Sequence, residues 1–102
     1  MRYFTVEEAA AVLPRVADLL RRLRALPEEA DEAHPVLEAL AEIGCVLRDV
    51  DRGLVDFPAR AGGADIFLCW ALGEDRIGFW HGSTEGYAGR KPLSELPGAH
   101  IH

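Results

Sequence analysis

The sequence of 102 residues has little lysine, little cysteine and no long apolar run. Lys91 is the only lysine and the formal net charge is −6, so the chain lacks the cationic surface that binds nucleic acids or anionic membranes. No apolar run approaches the ~20 residues that cross a bilayer, and the first residues lack the apolar core of a signal peptide. These absences predict a cytoplasmic protein that binds neither nucleic acid nor membrane.

The two cysteines, Cys45 and Cys69, are far apart and form no Cys-x-x-Cys pair. A zinc ribbon and a thioredoxin-type dithiol are therefore not indicated, and we expect both thiols to be reduced and partly buried. Hydrophobic residues make up 49% and charged residues 27% of the sequence, the balance of a folded globular chain. The length predicts a single domain over residues 1–102.

The first 44 residues carry a helical pattern. Thr5 and Glu8 have the spacing of a capping box, which predicts a helix that starts at Val6. Apolar residues then recur in steps of three and four, as one stripe of a helix does: Val12, Val16, Leu19, Leu23 and Leu26. Pro14 predicts a kink or a restart of this helix, because proline lacks an amide donor and disfavours helical geometry at the preceding residue.

A second helix is predicted after Pro27. The acidic run 28–32 is expected to form the turn and the first helical turn, where carboxylates favour the positive end of the helix dipole. Gly44 is the predicted C-cap, and the two helices are expected to pair as an antiparallel hairpin.

Charges are segregated between the two predicted helices. Arginines dominate the first helix and carboxylates dominate the second, so complementary faces would steer pairing within one hairpin or between two copies. Closed twofold dimers are the commonest oligomers, and we expect a homodimer in which apolar residues such as Leu20 or Leu37 meet the second copy.

From Cys45 onward the apolar period changes to two, which is typical of strands. The pattern predicts strands over residues 45–50, 54–57, 65–72 and 76–81, with Pro58 to Ala64 as a loop. The chain is therefore predicted to be α+β: a helical part (1–44) packed on an antiparallel meander of about four strands (45–93), followed by a tail (94–102).

Five short elements occur in order along the chain: Tyr3-Phe4-Thr5-x-Glu7-Glu8-Ala9, Gly53-Leu54-Val55-Asp56-Phe57-Pro58, Leu68-Cys69-Trp70, Ile77-x-x-Trp80-His81 and Gly86-Tyr87-Ala88-Gly89-Arg90-x-Pro92-Leu93. This pattern resembles the bacterial domain-of-unknown-function family numbered 2203, over nearly the whole chain. The resemblance implies an uncharacterised bacterial protein and no particular activity. The chain departs from the family pattern at Gly82, where the resemblance implies an acidic residue, and at Lys91, where it implies Gln. Glu85 is the nearby carboxylate that could serve instead of an acidic residue at Gly82.

Asp56, Cys69 and His81 are three types of potential metal ligand on neighbouring predicted strands. Side chains alternate between the two faces along a strand, so the register across the turn 73–75 decides whether Cys69 and His81 share a face. They do so only if the numbers of two paired residues have an even sum. The sequence leaves this register open. In the simpler interpretation, His81 forms a hydrogen bond at the edge of a core and Cys69 packs as a small hydrophobic residue. We therefore predict no metal and no cofactor.

Five residues are candidates for a ligand site: Asp56, Trp70, His81, Tyr87 and Arg90. Trp70 and Tyr87 would line an aromatic pocket, with Asp56 and His81 at its rim as general base and acid. Alternatively, the large rings fill the core, as a small domain requires.

The Gly86–Arg90–Lys91 segment offers a second kind of site. Glycine turns can aim successive amides at an anion, and two adjacent cations would reinforce binding of a small anionic ligand. Alternatively, Arg90 forms a bidentate ion pair with Asp56, or pairs with a nearby carboxylate, and holds the C-terminal loop on the sheet.

The sequence contains no complete catalytic constellation. It favours a self-associating binding or interaction module. The alternative is a small enzyme, or a protein that binds an anionic metabolite, with Asp56, His81 and Arg90 as its site. Whether the protein is an enzyme stays open.

Overall fold

A computed structural model of the protein describes residues 2–96. Two helices, α1 (Val6–Ala25) and α2 (Ala33–Ile43), precede five strands: β1 (Val46–Asp49), β2 (Leu54–Ala61), β3 (Ala64–Ala71), β4 (Phe79–Gly82) and β5 (Lys91–Pro92). The strands form one antiparallel sheet in chain order. The predicted α+β class is confirmed, with one strand more than expected. Most of the expected tail, from residue 97 onward, lies outside the described residues.

Helix α1 begins with the predicted capping box. The Thr5 hydroxyl accepts a hydrogen bond from the Glu8 N–H at 3.0 Å, and the Glu8 carboxylate accepts one from the Thr5 N–H at 2.9 Å. Two amides that the helix cannot satisfy internally are thereby paired. No helix in the described residues is long and apolar enough to span a membrane.

The predicted restart of the helix at Pro14 is wrong, since α1 runs through Pro14 without interruption. Pro14 and Ala10 are both exposed, so water can solvate the Ala10 carbonyl that loses its helical donor. A proline inside a helix costs about 3 kcal/mol, and burial of one large apolar side chain contributes roughly 1.5–3 kcal/mol. The buried residues beyond the proline therefore outweigh its cost: Val16, Ala17, Leu19, Leu20 and Leu23.

Helix α2 starts later than predicted, because the acidic run 28–32 lies in turns ahead of Ala33. Pro35 falls in the first helical turn, where a missing N–H costs nothing. Gly44 is the C-cap as predicted: its φ is 105°, in the left-handed region, and its N–H donates to the Leu40 carbonyl at 3.2 Å. Helix α2 packs against α1.

The predicted loop from Pro58 to Ala64 is wrong. Strands β2 and β3 continue to a two-residue turn, Gly62-Gly63, in which both residues have positive φ (58° and 78°), as a tight hairpin requires. Pro58 is tolerated in β2 because its carbonyl accepts from the Phe4 N–H at 2.7 Å. The nitrogen and oxygen of a strand residue point to the same side, so the missing N–H of Pro58 lies away from β3 and breaks no ladder bond.

The two faces of the sheet differ in chemistry. One face packs with the helices in a single apolar core, to which the sheet contributes Val55, Phe57, Leu68, Trp70 and Trp80. The register settles which residues lie opposite: Leu68 pairs with Trp80, and Cys69 pairs with Phe79. These numbers have an even sum, so Cys69 and His81 share the other face.

Candidate metal centre and cleft

Asp56, Cys69 and His81 form a buried cluster on the face of the sheet that points away from the helices. They come from β2, β3 and β4, and Asp56 lies directly opposite Cys69. Their exposed fractions are 1%, 0% and 2%. A carboxylate oxygen, the thiol sulfur and a ring nitrogen all lie within 4.8 Å of one another. Three different metal-ligand types therefore meet at one buried point.

The Asp56 carboxylate has one occupied and one free oxygen. Oδ2 accepts from Arg48 Nε at 2.8 Å and lies 2.9 Å from His81 Nε2. Oδ1 is buried and has no hydrogen-bond partner among residues 2–96. A buried acceptor without a partner is costly. The cluster thus presents an acceptor for which the described part of the chain supplies no donor.

The orientation of His81 is set by the backbone. Nδ1 lies 2.9 Å from the Gly82 carbonyl oxygen, which can only accept, so Nδ1 carries the hydrogen. In a neutral imidazole, Nε2 then directs a lone pair toward Asp56 Oδ2, and two acceptors at that distance need a cation between them. A ring N–H donated to a backbone carbonyl is also how proteins orient metal-binding histidines.

Cys69 is a poor nucleophile in this environment. The pKa of its thiol is raised to about 11, mainly by burial and also by the nearby Asp56 charge, while the Arg90 guanidinium acts in the opposite direction. The thiolate, which is the reactive form, is therefore scarce at neutral pH. Both ring nitrogens of His81 are already engaged. A metal-free Cys–His–Asp mechanism is disfavoured on both grounds.

A cleft of about 360 Å³ opens over the cluster. Its walls are Arg48, Leu54 and the loop 83–87, which contributes the Ser83 and Thr84 hydroxyls. This volume is at the lower end of small-molecule sites. The cluster therefore lines an accessible space that suits a small ligand.

A family model described as "Uncharacterized conserved protein (DUF2203)" matches residues 25–93. The chain belongs to this family. The matched segment runs from the end of α1 through β5 and includes the whole cluster and the loop beside it. No curated protein and no solved structure matches the chain.

In this DUF2203 chain, three of the five candidate site residues line the cleft: Asp56, His81 and Tyr87. Trp70 does not reach it, because it lies in the core on the opposite face of the sheet. The Trp70 Nε1 donates to the Glu74 carbonyl at 3.1 Å. The expected aromatic pocket is therefore divided between the two faces by the alternation of side chains along β3.

Arg90 lies beside the cluster and pairs with Glu74, so its partner is a nearby carboxylate and not Asp56. Arg90 Nη2 is 2.8 Å from Glu74 Oε1 and donates to the Cys69 carbonyl at 3.3 Å. The guanidinium also lies 4.1 Å from the centroid of the Phe79 ring. Arg48 and His81, and not Arg90, contact the Asp56 carboxylate.

The loop before β5 does not form the predicted anion-binding turn. Gly86 has a φ of −106°, Gly89 is not among the positive-φ glycines of the described chain, and residues 87–89 form one 3-10 turn. A nest of amides needs a left-handed residue. Lys91 Nζ lies 2.7 Å from Glu85 Oε1, so its charge is already compensated.

Glu85 brings a carboxylate to the cleft beside Gly82. Its Oε1 accepts from the Gly82 N–H at 2.8 Å, and a Cβ at position 82 would come within 2.9 Å of it. Hydrogen bonds from Lys91 and from the Gly82 N–H lower the pKa of Glu85. This carboxylate is therefore charged at neutral pH and occupies space that a side chain at position 82 would need.

Sequence reasoning missed Arg48 and Glu74. Arg48 lies where the register between β1 and β2 shifts, between Leu47 and Asp49. Such a bulge re-aims a side chain, and the alternating pattern of residues 45–50 contains no sign of it. Glu74 was placed in a turn, where a carboxylate ordinarily faces solvent.

Proposed function

We propose that this protein is a metalloprotein in which Asp56, Cys69 and His81 bind one divalent transition-metal ion, with zinc as the best fit. The observation that carries the proposal is the convergence of the three ligand atoms within 4.8 Å in a buried cluster. Zinc bonds of about 2.0–2.3 Å place tetrahedral ligand atoms roughly 3.5 Å apart, so no pair of ligand atoms has to close in by more than roughly 1.3 Å. A mixed sulfur, nitrogen and oxygen set suits zinc better than magnesium or calcium.

The electronic character of the cluster supports the same proposal. Asp56 Oδ1 lacks a donor and the His81 Nδ1 hydrogen is committed to the Gly82 carbonyl, so both residues offer a lone pair. A metal ion displaces the Cys69 proton, since a coordinated thiol is deprotonated. A metal ion bound by these lone pairs supplies the cation that the facing acceptors of His81 and Asp56 need.

Three protein ligands leave a fourth tetrahedral position, which faces the cleft in this proposal. Catalytic zinc sites have this composition, whereas structural sites close the coordination sphere with four protein ligands. A metal with an open position polarises a bound carbonyl or lowers the pKa of bound water. The chemistry we propose for this family member is therefore Lewis-acid chemistry on a small molecule in the cleft.

Titration of the purified protein with Co²⁺ and Zn²⁺ tests the metal centre. We expect one ion per chain and a thiolate-to-cobalt charge-transfer band that Cys69→Ser removes, with affinity lower by on the order of 10²-fold. Affinity should rise with pH, because the Cys69 thiol must lose its proton. Cys45→Ser is the matched control, since that buried thiol donates to the Leu40 carbonyl outside the cluster. Substoichiometric binding, or an unchanged band in the Cys69 variant, contradicts the proposal.

We also propose that the protein self-associates through the end of its helical hairpin at which the connection 26–32 joins α1 to α2. A groove of about 920 Å³ lies between α1, α2 and the turn after β1. Leu37 and Val50 line it with exposed fractions of 41% and 38%. Leu20, the other expected contact, is fully buried and cannot meet a second copy.

Charge segregation supports a second copy as the occupant of this groove. The exposed charged residues near the hairpin end have no oppositely charged partner within 4.0 Å among residues 2–96: Arg21, Arg22, Arg24, Glu28, Glu29, Asp31 and Glu32. A twofold arrangement would bring the basic side of one copy to the acidic side of the other.

Light scattering over the micromolar range checks self-association. We expect a dimer mass that falls to the monomer mass in Leu37→Glu, because a charge in an apolar contact is costly to desolvate. Ala11→Glu is the matched control, since Ala11 is exposed on α1 outside the groove. A monomer mass for the unmodified protein at every concentration would rule the dimer out.

A further inference from the structure

Arg48 contacts the cluster and also forms part of the cleft wall. Its Nε donates to Asp56 Oδ2 at 2.8 Å, and its side chain is 43% exposed. The guanidinium lies over the Phe67 ring, with Cζ 5.0 Å from the ring centroid. The hydrogen bond and the stacking fix the plane of the guanidinium. Its two terminal nitrogens form no hydrogen bond with residues 2–96, so their donors remain available to a ligand.

The formal charge around Arg48 favours an anion. A divalent ion held by one carboxylate and one thiolate is formally neutral, so the Arg48 guanidinium leaves the occupied site with one positive charge. The other charged group in the wall, Glu85, is already paired with Lys91. Arg52 also lies near the mouth, 5.4 Å from the centroid of the Tyr87 ring, but it pairs with Asp49 at 3.9 Å and adds no net charge. This local excess of positive charge contrasts with the net charge of −6 of the whole chain.

We infer that the cleft binds a small monocarboxylate, with one carboxylate oxygen on the metal and the other accepting from the terminal nitrogens of Arg48. This inference rests on the proposed metal centre. A planar guanidinium matches the planar carboxylate and holds it by directed hydrogen bonds. One negative charge on the ligand neutralises the one positive charge of the site.

The cleft limits the remainder of the ligand. A volume of about 360 Å³ admits a molecule of few heavy atoms. Leu54 offers it an apolar contact, and the Ser83 and Thr84 hydroxyls offer hydrogen bonds to a polar substituent. A small hydroxy or keto acid has this combination of groups.

Acetate titrated into the Co²⁺-loaded protein tests the inference, with the visible d–d bands of cobalt as the readout. We expect a saturable spectral change. Arg48→Met should weaken acetate binding by about tenfold or more, since a hydrogen bond between charged groups is lost. Arg48→Lys should recover part of the affinity. Arg60→Met is the matched control, because Arg60 pairs with Asp65 and does not line the cleft.

The cobalt content of every variant is measured first, because Arg48 also contacts the metal ligand Asp56. A cobalt-loaded protein that shows no saturable response to acetate, or the same response in Arg48→Met, overturns the carboxylate inference and leaves the metal centre standing. A tighter response to inorganic phosphate than to acetate also overturns it. A protein that binds no cobalt overturns both the metal centre and the inference built on it.

Discussion

Asp56→Ala is expected to lower the free energy of unfolding of the metal-free protein by roughly 3–5 kcal/mol. The Asp56 carboxylate lies 2.9 Å from His81 Nε2 and accepts a hydrogen bond from Arg48 Nε. His81 is only 2% exposed, so removal of Asp56 leaves a buried ring nitrogen without its polar partner and an unfilled space beside it. Chemical denaturation in the presence of a chelator measures the effect.

Asp65→Ala is the control for Asp56→Ala. Asp65 also pairs with an arginine, Arg60, but its side chain is 55% exposed, so its loss should cost less than about 1 kcal/mol. Asp56→Asn preserves the side-chain volume, and its loss of unfolding free energy should fall between those of Asp56→Ala and Asp65→Ala. Equal stability of the Asp56→Ala and Asp65→Ala proteins would show that the buried cluster contributes nothing to folding.

Arg90→Ala is expected to lower the free energy of unfolding by roughly 2–3 kcal/mol. This loss lies between that for an exposed ion pair and that for a fully buried one. The side chains of Arg90 and Glu74 are 11% and 27% exposed, so the variant leaves a partly desolvated carboxylate without its cation. Arg90→Lys should recover only part of the loss, because an ammonium cannot also donate in the guanidinium plane to the Cys69 carbonyl.

The contribution of the Arg90–Glu74 pair should depend on pH. Burial alone would raise the pKa of Glu74, but hydrogen bonds from Arg90 and the Ala71 N–H, together with the Arg90 charge, lower it below its usual value. A depressed folded-state pKa means that the stabilisation is present at neutral pH and is lost as pH falls through that value.

The stability difference between the unmodified protein and Arg90→Ala should therefore narrow in acid. Denaturation midpoints at neutral and acidic pH measure this narrowing. Arg76→Ala is the control, since Arg76 is exposed and has no ion pair among the described residues, and it should change stability by less than about 0.5 kcal/mol. A difference that stays constant from neutral to acidic pH would contradict the assigned pair.

Local signals predicted the helical half of the fold well. The Thr5 and Glu8 capping box and the Gly44 C-cap depend on residues within one turn of each helix end, so sequence alone reveals them. Pro14 was misinterpreted because its local cost was considered without the buried residues beyond it. The loop predicted after Pro58 failed in the same way, since the pairing of β1 with β2 ends before Pro58 and the missing N–H there breaks no ladder bond.

Sequence reasoning could predict only part of the candidate site. The residue types of Asp56, Cys69 and His81, and their places on neighbouring strands, could be recognised in the sequence. Within one strand, the alternation of side chains tells which residues share a face. Whether residues of β3 and β4 share a face depends on the register across the connection 72–78. One residue of slip would have put His81 in the core and Cys69 on the opposite face.

The sequence by itself determined the α+β order of elements, the start of α1, the end of α2 and the residue types of the site, because each follows from residues close in the chain. Only the tertiary structure decided that three ligand types converge, that Arg48 holds Asp56 and that Arg90 pairs with Glu74. These contacts join residues that are 8 to 25 positions apart. Strand register and a bulge set them, and both are selected by the packing of the whole core against the sheet.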